Sequence, residues 1–299
     1  MKARLRRAAD ASVAALVRGL FTLVRLLGPD RAAALGARVA RGIGPRLRVH
    51  RTALDNIRQA FPDMPAAEHE RIAREAWDNL GRTAAEYPHL DRLWDFDEAA
   101  TTQGRIRIAP EVTERFLALR DDGRPALIFA AHLANWELPA IAAARHGLPT
   151  AVLYRRPNNP HVARDIVTLR SGSMGRLIPA GIEAPIRMME ALDEGLHVGM
   201  LIDQRFGRGP RVPFLGRPAY SNPLVAHLAR RFDCPVHGAR AIREPDGGFR
   251  LELTEAIELP RDARGRVDVE AATALMNRIV EGWVREHPGQ WLWMHRRWR

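Results

Sequence analysis

Apolar positions recur along this chain at two spacings, and the switch between them divides it. From residue 2 to residue 27 the spacing is helical, with no proline until Pro29. At about 100° per residue, Arg7, Arg18 and Arg25 fall on one narrow stripe flanked by Arg4 and Asp10. Leu5, Ala9, Leu16, Leu20, Leu23 and Leu27 fall opposite. The segment is an amphipathic helix with a basic face. Two placements suit it. One is an interfacial anchor whose basic face meets anionic headgroups. The other is a helix packed on the protein's own core with the arginines in water. Asp10, Arg18 and Arg25 break every apolar run well short of the roughly 18 residues of a spanning helix. The two arginines also sit where a cleaved signal peptide would be apolar.

The helical period continues over residues 30–42, 49–61 and 66–90, with Pro62 and Pro65 marking one break. The rhythm then changes. Buried-strand runs at residues 126–130, 151–154, 197–202 and 235–242 alternate with helical patterns at 135–146, 159–172, 184–194 and 222–232. Residues 249–254 read as a further strand, hairpinned to the previous one across Pro245-Asp246-Gly247-Gly248. A last helix covers about 268–286. Strands alternating with helices predict an α/β fold, a largely parallel central sheet flanked by helices. An N-terminal helical region with an amphipathic, membrane-associating helix precedes it. No repeat or linker divides the chain, so residues 1–28 read as the anchor helix and 29–299 as one domain, helical over 29–95 and α/β over 96–299.

Charge narrows the partners. The 299 residues carry 46 basic and 35 acidic side chains, a net charge of +11. Such a surface attracts phosphate, anionic lipid, nucleic acid or an acidic protein. Lys2 is the only lysine, and that bias is in part the signature of a GC-rich genome. Cys234 is the only cysteine, which excludes an intrachain disulfide and a cysteine zinc site and suits a reducing cytoplasm.

The segment Ala130-Ala131-His132-Leu133-Ala134-Asn135-Trp136-Glu137 follows a buried run. On a continuous helix residues 132 and 137 would point about 140° apart. They meet only if His132 leaves the strand in a loop and Glu137 opens the next helix, with Asn135 as N-cap and Pro139 in the first turn. In that arrangement His132 is a general base and Glu137 holds its far ring nitrogen. The alternative is a structural histidine near a helix start. His50 and Asp55 share the spacing, so spacing alone selects nothing, but they lie inside a helical stretch with no strand before them.

The 130–137 segment resembles the H-x-G-N-W-E block of the bacterial lipid A biosynthesis lauroyl/myristoyl acyltransferases, relatives of the lysophospholipid acyltransferases. Further blocks resemble that family in order: Tyr154-Arg155-Arg156-Pro157-Asn158-Asn159-Pro160, Leu169-Arg170-Ser171, Asp203-Gln204, Val212-Pro213-Phe214-Leu215-Gly216, and the run from Gln290 to Trp298. Together they span about residues 50 to 299. Ala134 stands where the family has glycine, Leu215 where it has an aromatic residue, and either Arg155 or Arg156 is extra.

The resemblance implies transfer of an acyl chain from acyl-acyl carrier protein to a hydroxyl of a lipid A precursor, at the cytoplasmic face of the inner membrane. It implies no metal and no cofactor, because a thioester is already activated. It makes His132 and Glu137 catalytic, and Arg155, Asn159, Arg170, Asp203 and Gln204 substrate-binding. Each of the latter has a structural alternative. Arg170 contacts an oxyanion or phosphate, or forms a salt bridge. Asp203 and Gln204 shape the acceptor pocket or fix Arg170, or cap a strand. Asn158 or Asn159 caps a helix at Pro160. Trp291, Trp293 and Trp298, with Arg296, Arg297 and Arg299, lie at headgroup level, bind single-stranded nucleic acid, or pack in the core; no nucleic-acid module is present. Two other functions stay open: a related acyltransferase with another glycolipid or lysophospholipid acceptor, and a non-catalytic basic membrane-surface protein. A thioesterase is weaker, since no Ser or Cys elbow occurs.

Overall fold

The fold is described from a computed structural model, which places residues 2–97 and 104–298 and side chains from residue 9 onward. The sequence expectations for Arg4, Leu5, Arg7 and Arg299 therefore lie outside the described side chains.

Four helices come first: α1 (Lys2–Leu26), α2 (Pro29–Ile43), α3 (Arg48–Ala60) and α4 (Ala66–Glu86). The α/β part follows as β1 (Ile106–Ile108), α5 (Pro110–Asp121), β2 (Leu127–Ala130), α6 (Leu138–Arg145), β3 (Thr150–Tyr154), α7 (Pro160–Ser171), β4 (Arg176–Pro179), α8 (Ala184–Asp193), β5 (His197–Leu201), β6 (Arg211–Phe214), β7 (Arg217–Tyr220), α9 (Leu224–Phe232), β8 (Val236–Arg243), β9 (Phe249–Leu253) and α10 (Val269–Glu286). The sheet has seven strands in the order β1-β9-β8-β2-β5-β3-β4. All neighbours are parallel except β8 and β9, which form the expected hairpin.

The apolar runs of the strands are explained by cover on both faces. Leu127, Phe129, Val198 and Met200 point into one core with α8, α9 and α10, where Phe129 stacks on Trp283 at 5.8 Å. Ile128, Ala239, Ala241 and Leu251 point into the other, against α5 and α6. Four elements went unread in the sequence: β1, α5, β4 and the β6–β7 hairpin. They are short, or carry proline or charge inside the pattern; Pro213 and Pro218 even pair across the hairpin, a two-stranded ribbon outside the main sheet. Leu215 and Gly216 make its turn with positive φ of 49° and 74°. Leu215 is buried in the α10-side core, so its side chain packs the hairpin rather than lining an acyl site.

The N-terminal helix differs from the sequence reading in where its basic face lies. Arg18 pairs with Asp165 of α7 at 2.8 Å, and Arg25 with Asp91 at 2.9 Å, so the described arginines of the stripe face the protein. The leucines face outward: Leu16 is 74% exposed, Leu23 63% and Leu26 78%. Leu35, Val39 and Ile43 of α2 are exposed as well. The helix therefore does not bury its apolar face in this protein's core, and its described arginines are not free for headgroups. No helix among the described residues is long and apolar enough to cross a membrane.

Helices α2 and α4 cross almost in backbone contact. A Cβ on Gly36 would stand 2.3 Å from the Gly81 carbonyl oxygen, and one on Gly81 equally close to that of Gly36. Gly42, on the same helix α2, has open space around it. Gly36→Ala is expected to lower the unfolding free energy by about 1–3 kcal/mol. Gly42→Ala should raise it by roughly 0.5–1 kcal/mol through helix propensity. Urea unfolding of the two variants checks the opposite signs.

Candidate active site

Strands β2 and β5 are parallel neighbours with Ala130 opposite Leu201. Two residues past each strand end, His132 and Asp203 therefore lie side by side. The Asp203 carboxylate is completely buried. One oxygen accepts from His132 Nδ1 at 2.8 Å. The other accepts from the His132 backbone N–H at 2.9 Å and from Trp291 Nε1–H at 2.7 Å. Burial alone would raise its pKa, but the facing His132, with His295 nearby, outweighs this and holds the carboxyl well below its usual range. Asp203 thus fixes the tautomer with hydrogen on Nδ1, leaving the Nε2 lone pair toward Gln204 Nε2 at 3.2 Å.

The carboxylate expected at this ring was Glu137. It opens α6 as expected, but it accepts from Arg170 Nη2 at the end of α7. No hydrogen bond joins Glu137 to His132. Arg170 also lies over the rings of Tyr87 and Tyr154, at 5.5 and 5.8 Å. Burial works against its charge, but the Glu137 carboxylate outweighs burial and raises its pKa. The same burial, with Glu137 beside it, pushes the Tyr87 phenol up. Arg170 Nε is buried with no protein partner. The two carboxylate roles are therefore exchanged relative to the sequence reading: Asp203 orients the histidine, and Glu137 fixes the arginine.

The loop between β2 and α6 is held on every side. Helix α6 begins at Leu138, so Asn135 is not its N-cap. Its side-chain oxygen instead accepts from the Glu137 N–H at 3.2 Å, and its amide donates to Glu86 at 2.9 Å. Glu86 is buried and paired with Arg243 at 2.5 Å. Ala134 takes a left-handed φ of 48°, the conformation that the family's glycine suits and that costs a non-glycine residue roughly 1–2 kcal/mol. Thr83 and Asn79 of α4 hold its carbonyl at 3.0 and 3.2 Å.

The C-terminal segment closes the loop from the other side. Ala134 N–H donates to the Gln290 carbonyl at 3.0 Å and Leu292 N–H to the His132 carbonyl at 3.1 Å. Trp291, Trp293 and Arg297 are buried, so of the three readings of this segment core packing holds for them. Burial pulls the Arg297 guanidinium down to about 10. It donates to Tyr220 O, Ser221 Oγ and Asn277 Oδ1 at 2.7–2.8 Å.

A cavity of about 420 Å³ opens at His132, Trp136, Glu137, Arg170 and Gln204 and runs under α5 and α6 along the sheet. Arg155 and Arg205 also line it. Asn159 does not. It caps α7, accepting from the N–H groups of His161 and Val162, and its amide donates to the Asp10 carbonyl of α1. His50, the other spacing match, is buried in α3 and accepts from Trp77 Nε1–H at 3.2 Å. Trp291, a partner of Asp203, was visible in the sequence only as part of an aromatic ending.

Bacterial lipid A biosynthesis acyltransferases supply the family model that matches residues 2–299. Two relatives are each 26% identical over 280 residues, covering 89% of this chain and 84% of theirs. They are the Lipid A biosynthesis palmitoleoyltransferase of Escherichia coli (strain K12) and the Lipid A biosynthesis acyltransferase of Shigella flexneri.

Burial, the largest cause in each case, lowers the pKa of His197, His237 and His295. Unfolded histidine titrates near 6.5. Below that value the unfolded chain takes up protons that these folded imidazoles refuse, so stability is full above about pH 7 and falls as pH drops. Asp203 adds a second loss below about pH 4, where the unfolded carboxyl protonates. The urea midpoint should be level above about pH 7 and decline from there to about pH 5.5; a midpoint flat over that range would contradict this assignment.

Proposed function

The chain belongs to the bacterial lipid A biosynthesis acyltransferase family, and from that premise we propose that His132 is the general base of acyl transfer from acyl-acyl carrier protein to a lipid A precursor hydroxyl. The observation that carries the proposal is the His132–Asp203 pair at the mouth of an apolar cavity. His132 Nε2 takes the proton of the acceptor hydroxyl as its oxygen attacks the thioester carbonyl. Asp203 stabilises the imidazolium so formed. The tetrahedral oxyanion lies toward Arg170, which Glu137 holds in place. When the intermediate collapses, the carbon–sulfur bond breaks and the leaving thiolate takes the proton from His132. The lauroyl/myristoyl type does not carry over from the relatives, one of which is named a palmitoleoyltransferase.

Arg155 and Arg205 at the cavity mouth favour anionic substrates, an acidic carrier protein or a phosphorylated lipid. The outward leucines of α1 and the exposed Leu35, Val39 and Ile43 of α2 favour a membrane surface. In this reading the protein sits on the cytoplasmic face of the inner membrane, with the apolar stripe in the bilayer interface and Arg18 and Arg25 strapping α1 to the body.

His132→Ala is expected to lower the transfer rate by about 10²–10⁴-fold, assayed with acyl-carrier protein and a tetraacylated lipid A precursor. Asp203→Asn should cost more than Glu137→Gln, since only the first loses the tautomer; equal losses would return the orienting role to Glu137. Unchanged activity in His132→Ala would end the mechanism. The triple change of Leu16, Leu20 and Leu23 to glutamate should abolish co-sedimentation with phosphatidylglycerol vesicles while leaving the urea midpoint within experimental error. Retained co-sedimentation would remove α1 as the anchor.

A further inference from the structure

The cavity floor is the α6-side face of the sheet, and one position in it has no side chain. Gly199 lies mid-strand in β5, paired with Ile128 of β2 and Val152 of β3. All three line the cavity. Glycine weakens a strand interior relative to alanine, and there it often marks close approach of a ligand. Neither packing nor backbone demands it here. A Cβ built on Gly199 would meet only Val152 Cγ2 at 3.9 Å and the Ile128 carbonyl at 4.0 Å, ordinary contacts, and the residue has no positive φ. The room above it belongs to the cavity.

Its depth gives the gap a meaning. Ile128, opposite Gly199, is four residues before His132, about 13 Å along the strand. An extended alkyl chain advances about 1.25 Å per carbon, from the C–C length and the tetrahedral angle. A chain with its carbonyl at His132 reaches the Gly199 row near its tenth carbon. Beyond that row the lining continues to Thr150, Leu148 and Met174. Thr150 is two residues further down β3, which adds about 7 Å, or some five carbons. We propose that Gly199 is the specificity-determining residue for acyl length: it leaves open the passage that carries the chain past its tenth carbon.

This inference rests on reading the cavity as the acyl site, and the experiment separates the two. Gly199→Val and Gly199→Ala are assayed with carrier protein bearing acyl chains of 10, 12, 14 and 16 carbons. Valine suits a strand, so the fold should be retained; thermal unfolding checks this. In the valine variant, kcat/KM for chains of 14 and 16 carbons should fall at least tenfold while that for 10 carbons stays within about threefold, with alanine intermediate. An equal loss at every length in a folded variant, or no loss at any, overturns the proposal. A second readout needs no turnover: decanoic and palmitic acid are titrated against intrinsic tryptophan fluorescence, Trp136 being in the cavity wall. The valine variant should lose palmitic but keep decanoic acid binding. Equal palmitic acid binding by wild type and variant overturns the role of Gly199 alone. No fatty acid binding by the wild type overturns both readings.

Discussion

The geometry of the candidate site depends on a buried carboxylate that is fully compensated. Asp203 gives up water completely and receives three hydrogen bonds in return, two from His132 and one from Trp291. Removing one member of such a buried set typically costs several kcal/mol, because the charge left behind has no other partner. Three separate stretches of chain therefore have to arrive together: the end of β2, the end of β5 and the C-terminal segment. The tautomer of His132 is a consequence of that convergence.

A second buried charge system supports the same loop from below. Glu86 and Arg243 join α4 to β8, and Asn135 hangs from the pair. This explains how Ala134 is held in a conformation that alanine resists: its carbonyl accepts from Asn79 and Thr83, and its N–H donates to the Gln290 carbonyl. The helical region is thus part of the site. Its close α2–α4 crossing, glycine against glycine, anchors the helix that carries Thr83, Asn79 and Glu86.

The face around the site is divided by polarity. The cavity is apolar along its length and cationic at its mouth, where Arg155, Arg170 and Arg205 gather. The described part of the apolar stripe of α1 is turned outward because Arg18 and Arg25 are engaged with Asp165 and Asp91. An amphipathic helix tied down by its polar face inverts the usual arrangement of a surface helix, and it leaves an apolar strip unpartnered in this chain.

Sequence alone determined the periods, and so the fold class: strand runs covered on both faces, helices between them, the β8–β9 hairpin across its glycines. It also determined that His132 leaves a strand and that Glu137 opens a helix, because both follow from local rules. It did not determine which carboxylate meets the imidazole. That depends on β2 lying beside β5 with Ala130 opposite Leu201, a pairing between residues some seventy positions apart that no local pattern encodes. Asn159 shows the reverse case: its local chemistry as a cap before Pro160 was legible, and tertiary structure left it there. Which face of α1 turns to the protein was likewise undecidable from periodicity, which gives two faces but not the neighbour that each one meets. The tertiary structure decided it through two aspartates, on α7 and beyond α4, that pair with Arg18 and Arg25.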